Sequence, residues 1–262
     1  MNLTKKINLP TMRQSISVFV ILAVFLSACS NMKTSSTCAV PTGRFVNTTV
    51  LDRCPKSMPA DTPTFCFDLN FKGKDSIDVD NGFEKYSLPY HATEDGCRFT
   101  IAGASLFGDM DFIIESDSSL QLIDTSWTKL KTFTTFKKTG NPEKATWKFE
   151  QYLNECIIAG EYAMFKNGEL VPGVVTFLSN GQVNRLQPFI AYEICYAGDC
   201  LGETSPPANT INLIDDKGGI ETYVFKIVEP KMQIELYSIG APIPDIKGER
   251  PIGPLVYDFR TE

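Results

Sequence analysis

The stretch from Leu69 to Leu122 recurs later in the same chain, so whatever these residues fold into, the protein must build it twice. Displaced by 106 positions, Leu69 meets Val175, Phe71 meets Phe177 and Ile77 meets Val183. The pattern Phe83-x-x-Tyr86-x-x-x-Tyr90 meets Phe189-x-x-Tyr192-x-x-x-Tyr196, and Gly96 meets Gly202. A small insertion then moves the displacement to 114, where Ile113-Ile114-Glu115 meets Ile227-Val228-Glu229. There Leu120 and Leu122 meet Ile234 and Leu236. Matches that keep their order over such a span mark a duplication, and hence two tandem domains.

Each copy reads as short strands separated by turns. Apolar residues alternate in Leu69/Phe71, Leu120/Leu122 and Ile234/Leu236, the two-residue period of a strand with one buried face. Asn81-Gly82, Asn167-Gly168 and Asn180-Gly181 supply the positive backbone angles of tight hairpins. Eight strands are expected in the first copy, near 43–50, 64–71, 74–79, 83–90, 97–102, 109–115, 119–123 and 130–138. The second copy repeats them between 160 and 262, and Glu143 to Leu153, between the copies, is the best candidate for a short helix. Up-and-down strands leave two unpaired edges unless the sheet closes, and eight strands close into a small barrel. The expected fold class is all-β: two tandem small antiparallel up-and-down β-barrels. A pair of immunoglobulin-like sandwiches is the rival.

Ahead of the first copy stand a basic start with Lys5, Lys6 and Arg13, an apolar run from Val18 to Leu26, and the tetrad Leu26-Ser27-Ala28-Cys29. The run is about nine residues long, against the ~20 that a membrane-spanning helix needs, and small residues follow it. Residues 1–28 therefore read as a cleaved signal peptide, with Met12 as an alternative start to Met1. The tetrad resembles the lipobox of bacterial lipoproteins. That resemblance implies that the Cys29 thiol takes a diacylglyceryl group, that the chain is cut before it, and that the new amine is acylated. Two or more acyl chains hold a protein stably on a membrane. Ser30 stands where the family's inner-membrane retention signal would be Asp, which implies sorting to the outer membrane, on either its periplasmic or its exterior face.

The first copy opens with Gly43-Arg44-Phe45 and closes with Phe136-Lys137-Lys138; the second opens with Gly160-Glu161-Tyr162 and closes with Phe259-Arg260. These ends resemble those of the lipocalin-like domains common in bacterial lipoproteins. In lipocalins a Gly-x-Trp on the first strand packs under a basic residue at the end of the barrel, and Phe45 and Tyr162 stand in the tryptophan's place. The domain plan is then a lipidated cysteine and tether at 29–42, a lipocalin-like barrel at 43–138, a connector at 139–159 and a second barrel at 160–262.

Removing Lys5, Lys6 and Arg13 with the signal takes the net charge from −6 to −9. Such an acidic chain argues against nucleic acid, whose phosphates call for clustered Lys and Arg. Setting Cys29 aside leaves seven of the eight cysteines, an odd number in an exported chain where disulfides form. Cys195 and Cys200 flank a four-residue loop and are expected to staple a hairpin. Cys38 and Cys156 precede the two opening glycines at similar spacing, while Cys54, Cys66 and Cys97 belong to the first copy alone. Their connectivity does not follow from spacing.

Patterns that carry chemistry are few. The chain has no Gly-x-Ser-x-Gly, phosphate loop or dinucleotide fingerprint, and no Cys-x-x-Cys or cysteine–histidine cluster for a metal. Its one histidine, His91, follows Tyr90 near a strand end, where a surface role is expected. Asp75, Asp78, Asp80 and Asn81 lack the spacing of a calcium loop and read as a solvated hairpin end. Asp109 and Asp111 share a strand face, the minimum a two-acid hydrolase needs, but such pairs are frequent in acidic proteins. No enzyme, metal or cofactor is expected. The recurring tyrosines are the better lead. Tyr86 and Tyr90 share a strand face, as do Tyr192 and Tyr196, and there they either pack the core or line an apolar pocket with hydroxyls for a ligand. Prolines from Pro242 to Pro254 predict a stiff extended loop before the last strand, either a contact surface or a lid. The expected function is membrane-anchored and non-enzymatic: binding a small apolar or amphipathic molecule, or an envelope protein. A structural or protein-interaction module with filled barrel cores is the alternative, and an acidic-pair hydrolase a distant third.

Overall fold

A computed structural model describes residues 38–55, 65–94, 96–105, 108–123, 134–197, 204–230, 232–242 and 250–261. Residues 1–37, which include the expected signal, Cys29 and the first part of the expected tether, lie outside them, as do Cys200 and residues 243–249 of the proline-rich stretch.

Eight strands follow one another in the first copy: β1 (Gly43–Asn47), β2 (Asp68–Phe71), β3 (Ser76–Asp80), β4 (Lys85–Ala92), β5 (Arg98–Ser105), β6 (Gly108–Ser116), β7 (Ser119–Leu122) and β8 (Thr134–Lys137). Each pairs antiparallel with the next, and β1 pairs with β8, so the sheet closes into a barrel. The second copy comprises β9 (Gly160–Lys166), β10 (Glu169–Phe177), β11 (Gln182–Leu186), β12 (Phe189–Ile194), the two-residue β13 (Thr204–Ser205), β14 (Thr210–Asp215), β15 (Ile220–Glu229), β16 (Gln233–Ile239) and β17 (Arg250–Arg260). Here β17 closes on β9, and β13 lies outside the eight, parallel to the start of β17. Closure satisfies the edges that an open sheet would expose.

The two-residue period turns the apolar half of each strand inward. In barrel 1 the rings touch one another across the interior: Phe45 meets Phe71 at 5.7 Å, Phe71 meets Phe99 at 5.3 Å, Phe99 stacks on Phe112 at 4.9 Å, and Phe112 meets Phe136 at 5.8 Å. Barrel 2 repeats the scheme with Tyr162, Phe177 and Phe259, whose centroids lie 5.1–6.3 Å apart. Among the described residues, these buried side chains pack together inside each barrel.

Turn chemistry follows the sequence closely at Asn167-Gly168, where φ is 52° and 85° and Lys166 pairs directly with Glu169. This is the doubly positive turn that matches the twist of the flanking strands. Two other places differ from expectation. The first strand ends at Asn47 rather than at residue 50, because the Asn47 side chain accepts from the Val50 N–H and starts a one-turn helix, α1 (Thr48–Leu51). The last strand begins at Arg250 and so takes in Pro251 and Pro254, which were expected in a loop. Ladder irregularities on both sides of Tyr237 absorb the missing donors, and the Pro251 carbonyl still accepts from the Gly240 N–H.

Between the barrels a 3-10 turn (Pro142–Lys144) leads into α2 (Phe149–Ile157), later than the expected Glu143–Leu153. Phe149, Leu153 and Ile157 recur at every fourth position, share one face and are buried in the core of barrel 2. The buried Asn154 donates to the Ser179 carbonyl and holds the helix to the β10–β11 turn.

Candidate functional site

Of the four recurring tyrosines, Tyr192 and Tyr196 line one cavity of about 360 Å³ beside α2, and Tyr86 lines another of about 330 Å³. Tyr90 is buried in barrel 1, edge-on to Phe71 at 5.2 Å, and its hydroxyl donates to the Gly73 carbonyl at 3.2 Å. Tyr192 is buried in barrel 2, edge-on to Phe177 at 5.2 Å, and donates to the Leu178 carbonyl at 2.7 Å. Burial raises the pKa of both phenols. Because Phe71 and Phe177 are repeat partners, Tyr192 has the place of Tyr90, not that of Tyr86 with which the sequence aligns it. The hairpins explain the slip. Four residues separate the paired Asp80 and Lys85, two separate Leu186 and Phe189, and irregularities follow in the β11 and β12 ladders. Tyr86 is half-buried against the core of barrel 1.

Tyr196 lies beyond the end of β12 and belongs to the joint between the barrels. Its ring sits edge-on to Phe67 at 5.0 Å and beside Phe149 at 5.3 Å. The hairpin tip of barrel 1 presses on it so closely that a Cβ at Gly82 would stand 2.7 Å from the Tyr196 ring. Gly82, at φ 84°, is required there both for its backbone angle and for its lack of a side chain.

Polar contacts reinforce this joint. The Asp68 carboxylate, 2% exposed, accepts from the Phe149 N–H at 2.7 Å and so caps α2 from the wall of barrel 1. That cap is why the helix starts at Phe149: the carboxyl oxygen satisfies one of the orphan donors of the first turn. Arg44 Nη1 lies 3.2 Å from Asp68 Oδ1, and Lys85 bridges Asp80 and Glu150 at 3.1 and 3.2 Å. Desolvation raises the Asp68 pKa from 3.8 to about 7, against the pull of the Phe149 N–H and Arg44. Covalently, Cys54–Cys156 ties the segment after α1 to the last turn of α2. Cys38–Cys97 ties the chain entering barrel 1 to the residue just before β5. Cys38 and Cys156 therefore have unrelated partners. Cys195 is disulfide-bonded, while its expected partner Cys200 lies outside the described residues. Cys66 is a buried thiol whose pKa is raised by burial and then by Asp68 and Asp80.

Beside the joint, the outer face of β1–β4 carries a cleft of about 330 Å³, bordered on the α2 side by Lys148. Its floor is a row of outward residues set opposite one another on adjacent strands: Arg44, Asn70, Asp78 and Ser87. Asp78 pairs with Lys72 and accepts from the Ser87 hydroxyl. Asp80 Oδ1 accepts from the Gly82 N–H, and Asn81 Oδ1 from the N–H groups of Phe83 and Glu84, so these oxygens shape a hairpin. Asp109 and Asp111 are engaged locally, with the Gly103 N–H and the Thr100 hydroxyl, and His91 is exposed on β4.

Sequence reasoning passed over Asp68 and Asn70. Their one signal was parity: they flank Leu69 on the opposite face of β2 from Leu69 and Phe71. Comparison with family models, with curated proteins and with solved structures finds no match to this chain.

Proposed function

We propose that the chain is an outer-membrane lipoprotein, anchored through Cys29, whose two lipocalin-like barrels form a rigid, non-enzymatic module that recognises another envelope protein on its outer surface. The observation that carries this reading is the filling of the barrels. Rings from Phe45 to Phe136 touch across barrel 1, and the Tyr90 and Tyr192 hydroxyls are spent on backbone carbonyls rather than offered to a guest. A carrier of apolar molecules needs an interior pocket, typically of 300 Å³ or more. Lys138, 5.0 Å above the Phe45 ring, supports the lipocalin-like assignment, since it reproduces the basic residue over the first-strand aromatic. The anchor rests on Leu26-Ser27-Ala28-Cys29.

Native mass spectrometry of the Cys29→Ser chain, purified gently from the periplasm, tests the reading. A clean apoprotein mass is expected. A reproducible extra mass lost on denaturation would show a carried small molecule and overturn it. Incorporation of labelled palmitate into the wild-type chain, and its loss in Cys29→Ser, tests the anchor separately.

A further inference from the structure

The cavity of about 360 Å³ beside α2 adjoins a second of about 270 Å³, and both have Glu193, Ile194 and Tyr196 in their walls. The first lies against α2 and the β10–β11 turn, and the second reaches the hairpin tip of barrel 1 at Gly82 and Phe83. Together they make one groove that continues from the joint onto the outer wall of barrel 2. Strand register sets what that wall presents. Tyr192 and Leu213 are paired and buried inward, so their neighbours on β12 and β14 point outward. Glu193, Asn212 and Thr222 stand opposite one another as a polar row on β12, β14 and β15. Two residues along, Ala191, Ile214 and Ile220 form an apolar row. Ile220 and the adjoining Ile190 are more than half exposed, as is Phe83 at the other end of the groove. A contiguous exposed apolar strip beside a groove marks a contact surface.

Charge narrows what can cover it. The charged side chains lining the groove are Glu150 and Glu193, with no Lys, Arg or His among the described residues. Glu150 is shared with Lys85, whereas Glu193 makes no ion pair among the described residues. Over the whole chain acids outnumber bases by 31 to 25, so the surrounding field favours a basic partner. A lysine or arginine side chain matches both rows at once, because its methylene stem covers apolar surface while its head reaches a carboxylate. The same charges disfavour an anionic lipid surface and a second copy of this acidic chain.

We propose that this groove docks an extended segment of a partner protein, one that alternates large apolar residues with a lysine or arginine seated at Glu193. This rests on the recognition of another protein proposed above, and gives that recognition its place and its chemistry. In an extended segment, side chains two positions apart lie about 7 Å apart on the same side, so one segment fills both halves of the groove.

Selection of a random dodecapeptide phage library on the immobilised Cys29→Ser chain tests the docking surface. Enriched peptides are expected to set Lys or Arg among large apolar residues. Fluorescence anisotropy of the best peptide should show binding weakened about tenfold by Glu193→Lys and by Ile220→Ser, and unchanged by Asn70→Ala on the wall of barrel 1. Near-UV circular dichroism checks that each variant keeps the fold. Enriched peptides that are acidic, or whose binding neither groove variant weakens, overturn the groove and leave the recognition of a protein standing. Failure to enrich any peptide over the bare support also overturns the groove. A carried small molecule in the native mass spectrum instead overturns the reading on which it rests. A dimer in that spectrum that Ile220→Ser dissolves would assign the groove to a second copy, against this proposal.

Discussion

Barrel 1 keeps its core to itself, whereas barrel 2 shares its own. The rings of barrel 1 belong to one cluster drawn from β1–β8 and the residues just before β2. The cluster of barrel 2 runs on through Phe149, Leu153 and Ile157 of α2 to Val50 and Phe67, which barrel 1 supplies. At the first strand the copies differ again. Phe45 lies under Lys138, but in barrel 2 the cation Arg260 stands over Phe165 instead, and the Tyr162 hydroxyl is buried without a hydrogen bond. Both barrels come from one repeat, so duplication has preserved the inward face and left the ends free to diverge. The ends are where the copies came to depend on each other.

Core truncation offers the strongest way to break this comparison. Phe99→Ala in barrel 1 and Phe177→Ala in barrel 2 should each cost about 3–5 kcal/mol, and a shared core predicts that both shift one calorimetric transition. Two transitions, each sensitive to one variant, would show that the barrels unfold separately. Next in size is the covalent tie. Cys54→Ser with Cys156→Ser should cost about 2–4 kcal/mol, and denaturant unfolding of the double variant should spread into two steps as barrel 2 loosens from barrel 1.

Asp68 gives a pH test of the joint. Its carboxyl titrates at about 7 in the folded chain against an ordinary 3.8, so the folded state keeps a proton that the unfolded chain releases. Its contribution is thus fully present below about pH 4 and is lost as pH rises through about 7, at no more than about 1.4 kcal/mol per unit. Asp68→Asn should remove that slope from urea midpoints measured between pH 4 and 8; an unchanged slope would assign it to other groups. Two smaller effects sharpen the contrast at the first strand. Tyr162→Phe, which makes barrel 2 resemble barrel 1, should raise stability by about 1 kcal/mol by deleting a buried hydroxyl without a partner. Lys138→Ala should lower it by about 0.5–1 kcal/mol, read as a shift in thermal midpoint.

Legibility in the sequence divided along physical lines. The repeat, the strands and the inward face were readable because each depends on residues one or two positions apart: Leu69 and Phe71, Leu120 and Leu122, the Asn167-Gly168 turn. The tyrosine pattern was legible as a repeat but not in its spatial match, since hairpins of unequal length moved Tyr192 into the place of Tyr90 and carried Tyr196 out to the joint. Asp68 showed only as a polar residue between two apolar ones. Its position under α2 depends on a helix that follows it by 81 residues.

By itself, then, the sequence determined that this chain builds two eight-stranded barrels and which face of several strands turns inward, because strand period and turn angle are local properties of the backbone. Tertiary structure alone decided that Cys54 bonds Cys156, that Asp68 starts α2, and that Pro251 and Pro254 join the last strand. These outcomes rest on how distant strands register and on which groups lose water together, and no local pattern encodes either.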